Sequence, residues 1–236
     1  MPSISIQATD GSGSFNAYHA PATGIHAGGK VGTVVLIQEI FGVSASIREI
    51  CDMVASQGFN VLAPDLFWRQ EPGVDLSDKT KEEWDKAFAL LNGFDQAKGI
   101  EDLKATLALA RTLPGSNGRA GTMGFCLGGR LAFMMAQQSD ADVNISYYGV
   151  GLDGLIPQLG QIKTRLLVHI AENDTFFGAE AREALLAAVS SNALIEATVY
   201  PNADHAFARA GGTHWDTRSA WIANGRSTEA LVAALG

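Results

Sequence analysis

Only two of the 236 residues are cysteine, Cys51 and Cys126. Two are too few for a disulfide framework or a cysteine-built metal knuckle, and they suit a reducing compartment. Long apolar runs are missing as well. Stretches such as 34–37 and 131–136 fall far below the roughly 20 residues a membrane helix needs, so no membrane association is expected. Positive charge is in deficit, with 17 Lys and Arg against 25 Asp and Glu for a formal net charge of -8. The basic residues do not cluster either. A phosphate-backbone partner requires a basic face, so no nucleic-acid partner is expected. No pair of histidines or carboxylates has the i, i+4 or His-x-Glu spacing of a metal site, so no metal is expected. The opening Met1-Pro2-Ser3-Ile4 has neither the basic nor the apolar region of a secretory leader, which predicts a cytoplasmic protein. No Pro/Gly/Ser-rich linker, internal repeat or low-complexity tract divides the chain, so 1–236 is expected to form one domain.

What is present is an alternation of short β-branched runs with helix-period segments, the pattern of an α/β fold. It predicts a mostly parallel central sheet flanked by helices on both faces. Strands are predicted over 33–37, 59–63, 120–125, 144–148, 165–170 and 195–200. Helices are predicted over 44–57, 81–91, 95–113, 129–138 and 180–190, with a C-terminal helix in two pieces, 219–224 and 227–235. Ile47, Ile50, Cys51 and Val54 recur at helical spacing, which assigns Cys51 to a core face. Asp95 reads as an N-cap, and Ile100, Leu103, Leu107 and Ala110 as the buried stripe of its helix.

Cys126 stands differently. It is the centre of Gly124-Phe125-Cys126-Leu127-Gly128, between an apolar run and a helix-forming run. This is the layout of a nucleophile elbow, a tight strand-to-helix turn whose neighbours must be small. The turn aims a helix N-terminus at the sulfur, and a thiolate gains more from that field than a neutral hydroxyl does. A thiol nucleophile needs a base, and the base needs an orienting acid. Asp174 follows the strand that ends at Ile170, and His205 follows the strand that ends at Tyr200. Strand carboxyl ends are where open α/β sheets build sites, and the order 126, 174, 205 is that of α/β-hydrolases. Glu172 and Asp204 are rivals for the acid, with Asp204 equally able to cap its own turn. His169, mid-strand, reads as a satisfied core histidine, while His19, His26 and His214 read as solvated loop or terminal residues.

An oxyanion hole would take one backbone N–H from Leu127, after the nucleophile, and one from the loop 38–42. Glu39 in that loop is an acid at the end of a buried strand. It either finds solvent or a cation such as Arg48, or it meets the thiol of Cys126 and controls its proton.

Several segments, Gln38-Glu39-Ile40-Phe41-Gly42-Val43, Ala63-Pro64-Asp65-Leu66, the cysteine elbow, Tyr147-Tyr148-Gly149 and His205-Ala206-Phe207-Ala208-Arg209, resemble those of the dienelactone hydrolase (carboxymethylenebutenolidase) family. The resemblance implies an α/β-hydrolase fold with a Cys126, His205, Asp174 triad, Glu39 relaying the thiol proton, and Ile40 and Leu127 as oxyanion donors. It implies opening of an enol-lactone, dienelactone to maleylacetate, in chloroaromatic degradation, with no cofactor and as a monomer. Of the family's substrate-carboxylate groups, Arg209 matches one arginine. Trp84 stands where the resemblance puts a second arginine, and Ala206 where it puts a serine. Exchanging a fork of N–H donors for an indole removes charge and adds an apolar wall, unless Lys81 or Lys86 compensates. Phe88 and Tyr147 would line the same pocket or serve as ordinary core aromatics. The substrate expected on these grounds is a small lactone or ester. The other functions the sequence leaves open are a carboxylesterase or thioesterase acting on a less charged molecule, and a non-catalytic ligand binder on the same fold.

Overall fold

The computed structural model describes residues 3–236. Two compact units make up the chain, Met1–Gly121 with Leu235–Gly236, and Thr122–Ala234.

The first unit holds β1 (Ser3–Gln7), β2 (Ser14–Ala20), β3 (Val31–Ile37), α1 (Ala45–Ser56), β4 (Asn60–Pro64), α2 (Lys81–Asn92), α3 (Gln96–Thr112) and the start of β5 (Ser116–Phe125). Its strands run in the order β1-β2-β4-β3, antiparallel at β1·β2 and β2·β4 and parallel at β3·β4. Every residue of β3 is buried, as the apolar run 34–37 leads one to expect of a strand covered on both faces. Ser44 caps α1 by accepting from the Ile47 N–H, and Ile47, Ile50, Cys51 and Val54 form the buried face that the periodicity predicts. Burial pushes the Cys51 thiol pKa well up, so this cysteine is an inert core residue. Asp95 caps α3 by accepting from the N–H groups of Ala97 and Lys98 at 3.0 and 3.1 Å. Asp102, only 1% exposed, is compensated by Arg69 Nη2 at 2.8 Å and by the Trp68 indole N–H at 2.8 Å.

The second unit holds the end of β5, α4 (Leu127–Gln138), β6 (Val143–Tyr147), a 3-10 helix (Leu152–Gln161), β7 (Arg165–Ala171), α5 (Ala179–Val189), β8 (Ile195–Tyr200) and α6 (Thr217–Leu235). Its strands β5-β6-β7-β8 are all parallel, so their carboxyl ends open on one edge. An apolar cluster of Phe133, Leu152, Leu166, Val168, Phe177 and Leu185 packs beneath them.

Four features depart from the sequence-based expectations. Strands β1 and β2 were not anticipated. In β2 the signal is an alternation, with Phe15 and Ala17 buried and Ser14 and Asn16 exposed. His19 therefore lies in a paired strand rather than a loop, and partial burial lowers its pKa. The 3-10 helix carries Pro157 internally, which hides it from a pattern search for α-helices. Finally, α6 runs unbroken through Gly225, because packing of Ala223, Ser227, Ala230 and Leu231 outweighs the local cost of a glycine.

At the end of β5 the chain has almost no lateral room. A Cβ on Gly124 would stand 2.0 Å from the Gly128 carbonyl oxygen, and one on Gly129 would stand 2.4 Å from that of Tyr147. These obstacles are backbone atoms and cannot swing aside. Gly124→Ala is expected to lower stability by at least ~2 kcal/mol, read as a drop in the urea midpoint. Gly154→Ala, where a Cβ meets nothing within 4 Å, should leave the midpoint within about 0.5 kcal/mol of wild type.

Candidate active site

Cys126 sits between β5 and α4 with φ 56° and ψ -114°, a left-handed backbone that a side-chain-bearing residue seldom adopts. Its N–H donates to the Tyr147 carbonyl at 3.1 Å, and its own carbonyl accepts from the Arg130 N–H at 3.1 Å. The turn is thus tied to β6 on one side and continues into the helix on the other. Leu127 is the first residue of α4, where a backbone N–H has no partner within the helix. It is 2% exposed.

Asp174 and His205 come from the loops after β7 and β8. The Glu172 N–H donates to the Tyr200 carbonyl and the Asn173 N–H to the Ala203 carbonyl, so the two loops are fastened to each other. Asp174 Oδ1 accepts from the Phe176 N–H at 2.8 Å, which orients the carboxylate and leaves Oδ2 for His205 Nδ1, also at 2.8 Å. The rival acids are otherwise employed. Glu172 accepts from the Asn202 N–H, and Asp204 accepts from the His205 backbone N–H at 2.7 Å. Left-handed backbone at Asn202 and Ala206 brackets the histidine and turns it inward.

With Nδ1 held by Asp174, the buried Nε2 has the Cys126 sulfur as its neighbour. Burial by itself would favour the neutral ring. The bond to Asp174, the closeness of the Cys126 sulfur and the negative charge facing the ring outweigh it, and the imidazole pKa rises to about 10. Two aromatic rings close on the imidazole edgewise, Tyr148 at 5.2 Å and Phe176 at 4.8 Å between centroids. Sequence reasoning named neither as a site residue. The available signal was position, since Phe176 is two residues past the acid and Tyr148 is the first residue after β6.

His169, in contrast, is fully enclosed. Its Nδ1 meets the Tyr200 hydroxyl at 2.9 Å and its Nε2 the Ser227 hydroxyl at 2.9 Å, while burial drives its pKa down to about 3. Tyr147 shares this network. Its ring is wholly buried and its hydroxyl lies 2.9 Å from Asn224 Oδ1 and 2.7 Å from Ser227 Oγ. His214 bonds the His205 carbonyl through Nδ1 at 3.0 Å.

The other predicted residues are placed as follows. Arg209 is 9% exposed, with its N–H donating to the Ala206 carbonyl at 2.9 Å. In the first unit, Glu39 and Ile40 follow β3 and are 2% and 5% exposed. Glu39 bridges Gly42, and Gly42 bridges Asp75. Arg48, considered as a cation for Glu39, spans the Val43 carbonyl and Asp75 at 2.6 and 2.9 Å. On α2 the Trp84 indole donates to the Asp78 carbonyl at 3.0 Å and meets Phe41 edgewise at 4.9 Å, with Phe88 beside it at 5.6 Å. Lys81 and Lys86 are paired with Asp85 and Glu71. Among the described residues no group of three His, Cys, Asp or Glu side chains converges as a metal ion would require.

The raised pKa has a testable sign. A protonated His205 stabilises the fold fully below the unfolded-state value of about 6.5, and that contribution disappears as pH rises through about 10. The His205 ring resonances should titrate near pH 10 by NMR. Cys126→Ala should lower the midpoint, because it removes one of the two partners that favour the charged ring.

Comparison with known proteins bears on this arrangement. The model of the "Dienelactone hydrolase family" matches residues 15–235. A protein of Azospirillum brasilense, provisionally named a carboxymethylenebutenolidase, is 52% identical over the full length of both chains. The carboxymethylenebutenolidase of Pseudomonas putida is 36% identical over 97% of this chain and 95% of its own. A crystal structure from Klebsiella pneumoniae subsp. pneumoniae, provisionally named a dienelactone hydrolase, superposes with a TM-score of 0.83 at 25% identity, covering 98% of each chain. With its α/β fold and mostly parallel strands, the chain belongs to the dienelactone hydrolase family and is an ester or lactone hydrolase.

Proposed function

We propose that the protein is a cysteine-dependent hydrolase that opens an enol-lactone, dienelactone to maleylacetate, or a related lactone or ester through an acyl-thiol intermediate. The observation that carries this reading is the alignment of Cys126, His205 and Asp174, with Asp174 on Nδ1 and the sulfur beside Nε2. The charged His205 ring holds on Nε2 the proton drawn from the thiol, and Sγ attacks the carbonyl carbon, forming a C–S bond while the carbonyl electrons move onto oxygen. The N–H of Leu127 receives that oxyanion, and the family resemblance assigns Ile40 as the second donor. As the carbonyl re-forms, the C–O bond breaks and the leaving oxygen takes the proton from Nε2. Water then attacks the thioester, giving its proton to Nε2, and the sulfur departs. To Glu39, enclosed at the end of β3, the family resemblance assigns control of the thiol proton. The match of the family model across both units supports a single catalytic domain over 1–236, and we place the protein in the cytoplasm.

One observation favours a less charged substrate than dienelactone. Trp84 and Phe88 on α2 form an aromatic cluster with Phe41 from the loop after β3, Trp84 stands where the family resemblance calls for an arginine, and Ala206 offers no hydroxyl. Arg209 is then the matching cation that remains for a carboxylate.

Cys126→Ala should abolish lactone and ester hydrolysis, by about 10³-fold or more, and iodoacetamide should inactivate the wild type stoichiometrically. No activity on any lactone, ester or thioester would favour a ligand binder. Glu39→Gln should shift the pH profile of thiol alkylation with the fold intact by circular dichroism, and an unchanged profile removes Glu39 from the mechanism. Trp84→Arg should raise kcat/KM for dienelactone relative to neutral aryl esters. A wild type that already prefers dienelactone by orders of magnitude overturns the less-charged-substrate reading.

A further inference from the structure

Two consecutive phenylalanines follow Asp174, and they have opposite fates. Phe177 is 3% exposed and anchors the loop in the apolar cluster beneath β7 and α5. Phe176 is 50% exposed. An anchored neighbour and a bonded N–H leave Phe176 little freedom to bury itself. Its N–H is committed to Asp174 Oδ1 at 2.8 Å, so the turn that orients the acid also fixes where this ring stands. The ring is held edgewise to the His205 imidazole, 4.8 Å between centroids at 67°. Tyr148, packed against the same imidazole, is 2% exposed. The site thus has one aromatic that is packed away and one that shows half its surface to solvent beside the proton-transferring ring.

Exposed phenylalanine surface has a use where an apolar ligand covers it. The mechanism says which part of a substrate comes there. When the C–O bond breaks, the departing oxygen must lie within hydrogen-bond reach of Nε2, about 3 Å, to take its proton. The carbon attached to that oxygen therefore passes beside the imidazole, on which the Phe176 ring is packed. The acyl carbon, bonded to Sγ, is held at the elbow instead.

We infer that Phe176 is a specificity-determining residue that contacts the alcohol or enol side of the ester or lactone bond and favours apolar leaving groups. This inference rests on the hydrolase reading above. Phe176 takes no proton and forms no bond. It acts by the area it buries against the departing group, and in a lactone that group is the tethered remainder of the ring.

The test is a pair of ester series on the full-length protein. In one the acyl group is acetyl and the alcohol lengthens from methyl to hexyl; in the other the alcohol is methanol and the acyl group lengthens. For the wild type, kcat/KM should rise with alcohol length. In Phe176→Ala the hexyl-to-methyl ratio should fall roughly tenfold, the scale on which apolar pockets discriminate methylenes. Phe176→Leu, which keeps apolar surface, should retain most of the ratio, and the acyl series should keep its slope in both variants. A loss by one common factor across the alcohol series, together with a displaced His205 titration, overturns the inference, because Phe176 then only shields the imidazole. A change confined to the acyl series overturns it too, as does an unchanged ratio. Hydrolysis that is absent from the wild type, or that persists in Cys126→Ala, would strike down the underlying reading and this one with it. Thiol-dependent hydrolysis with an unaltered alcohol slope in Phe176→Ala strikes down this one alone.

Discussion

The turn at Cys126 is the constraint on which the candidate site depends. A left-handed non-glycine residue costs on the order of 1–3 kcal/mol and persists only if its surroundings enforce it. Here the enforcement is backbone against backbone. The Cys126 N–H is bonded to Tyr147, and the flanking glycines sit so close to the carbonyls of Gly128 and Tyr147 that no methyl group fits. The strain is repaid in direction, since it points the sulfur off the end of β5 at the first turn of α4. A relaxed extended residue would have continued the strand.

Beneath that turn lies a layer of buried polar groups that take no direct part in chemistry. His169, Tyr200, Ser227, Tyr147 and Asn224 satisfy one another across β6, β7, β8 and α6. Main-chain carbonyls of two of them reach the site: Tyr147 accepts from Cys126, and His169 accepts from Tyr148, whose ring packs on His205. A network of this kind is strong only when complete, because each unpaired member in an apolar interior costs more than its bond contributes. The two histidines of this unit show how environment alone divides one residue type into two behaviours. His169, facing hydroxyls, is held neutral, whereas His205, facing a carboxylate and a sulfur, is held toward the charged form.

Much of the fold was legible in the sequence because its central strands are covered on both faces and so read as largely apolar runs, as at 34–37 and 166–168. Helices α1 and α3 were legible because one face is apolar and the cap residues Ser44 and Asp95 are of the right chemistry. The first two strands, β1 and β2, were not, since a half-exposed strand with serines and asparagine offers only a weak alternation. Gly225 suggested a break in α6 that packing overrides. At the site, the candidates Cys126, Asp174 and His205 were readable because each directly follows a recognisable strand.

By itself the sequence determined the chemistry available: a thiol in a glycine-bracketed turn, an acid and a histidine in α/β-hydrolase order, and no surplus of positive charge. Those properties are local, set by residue type and by distance along the chain. Tertiary structure decided which of three acids meets the imidazole, which histidine is neutral, that Tyr147 turns its hydroxyl into the core, and that Phe176 rather than Phe177 faces solvent beside His205. These outcomes depend on burial and on partners more than twenty residues away, and no pattern read along the chain contains that information.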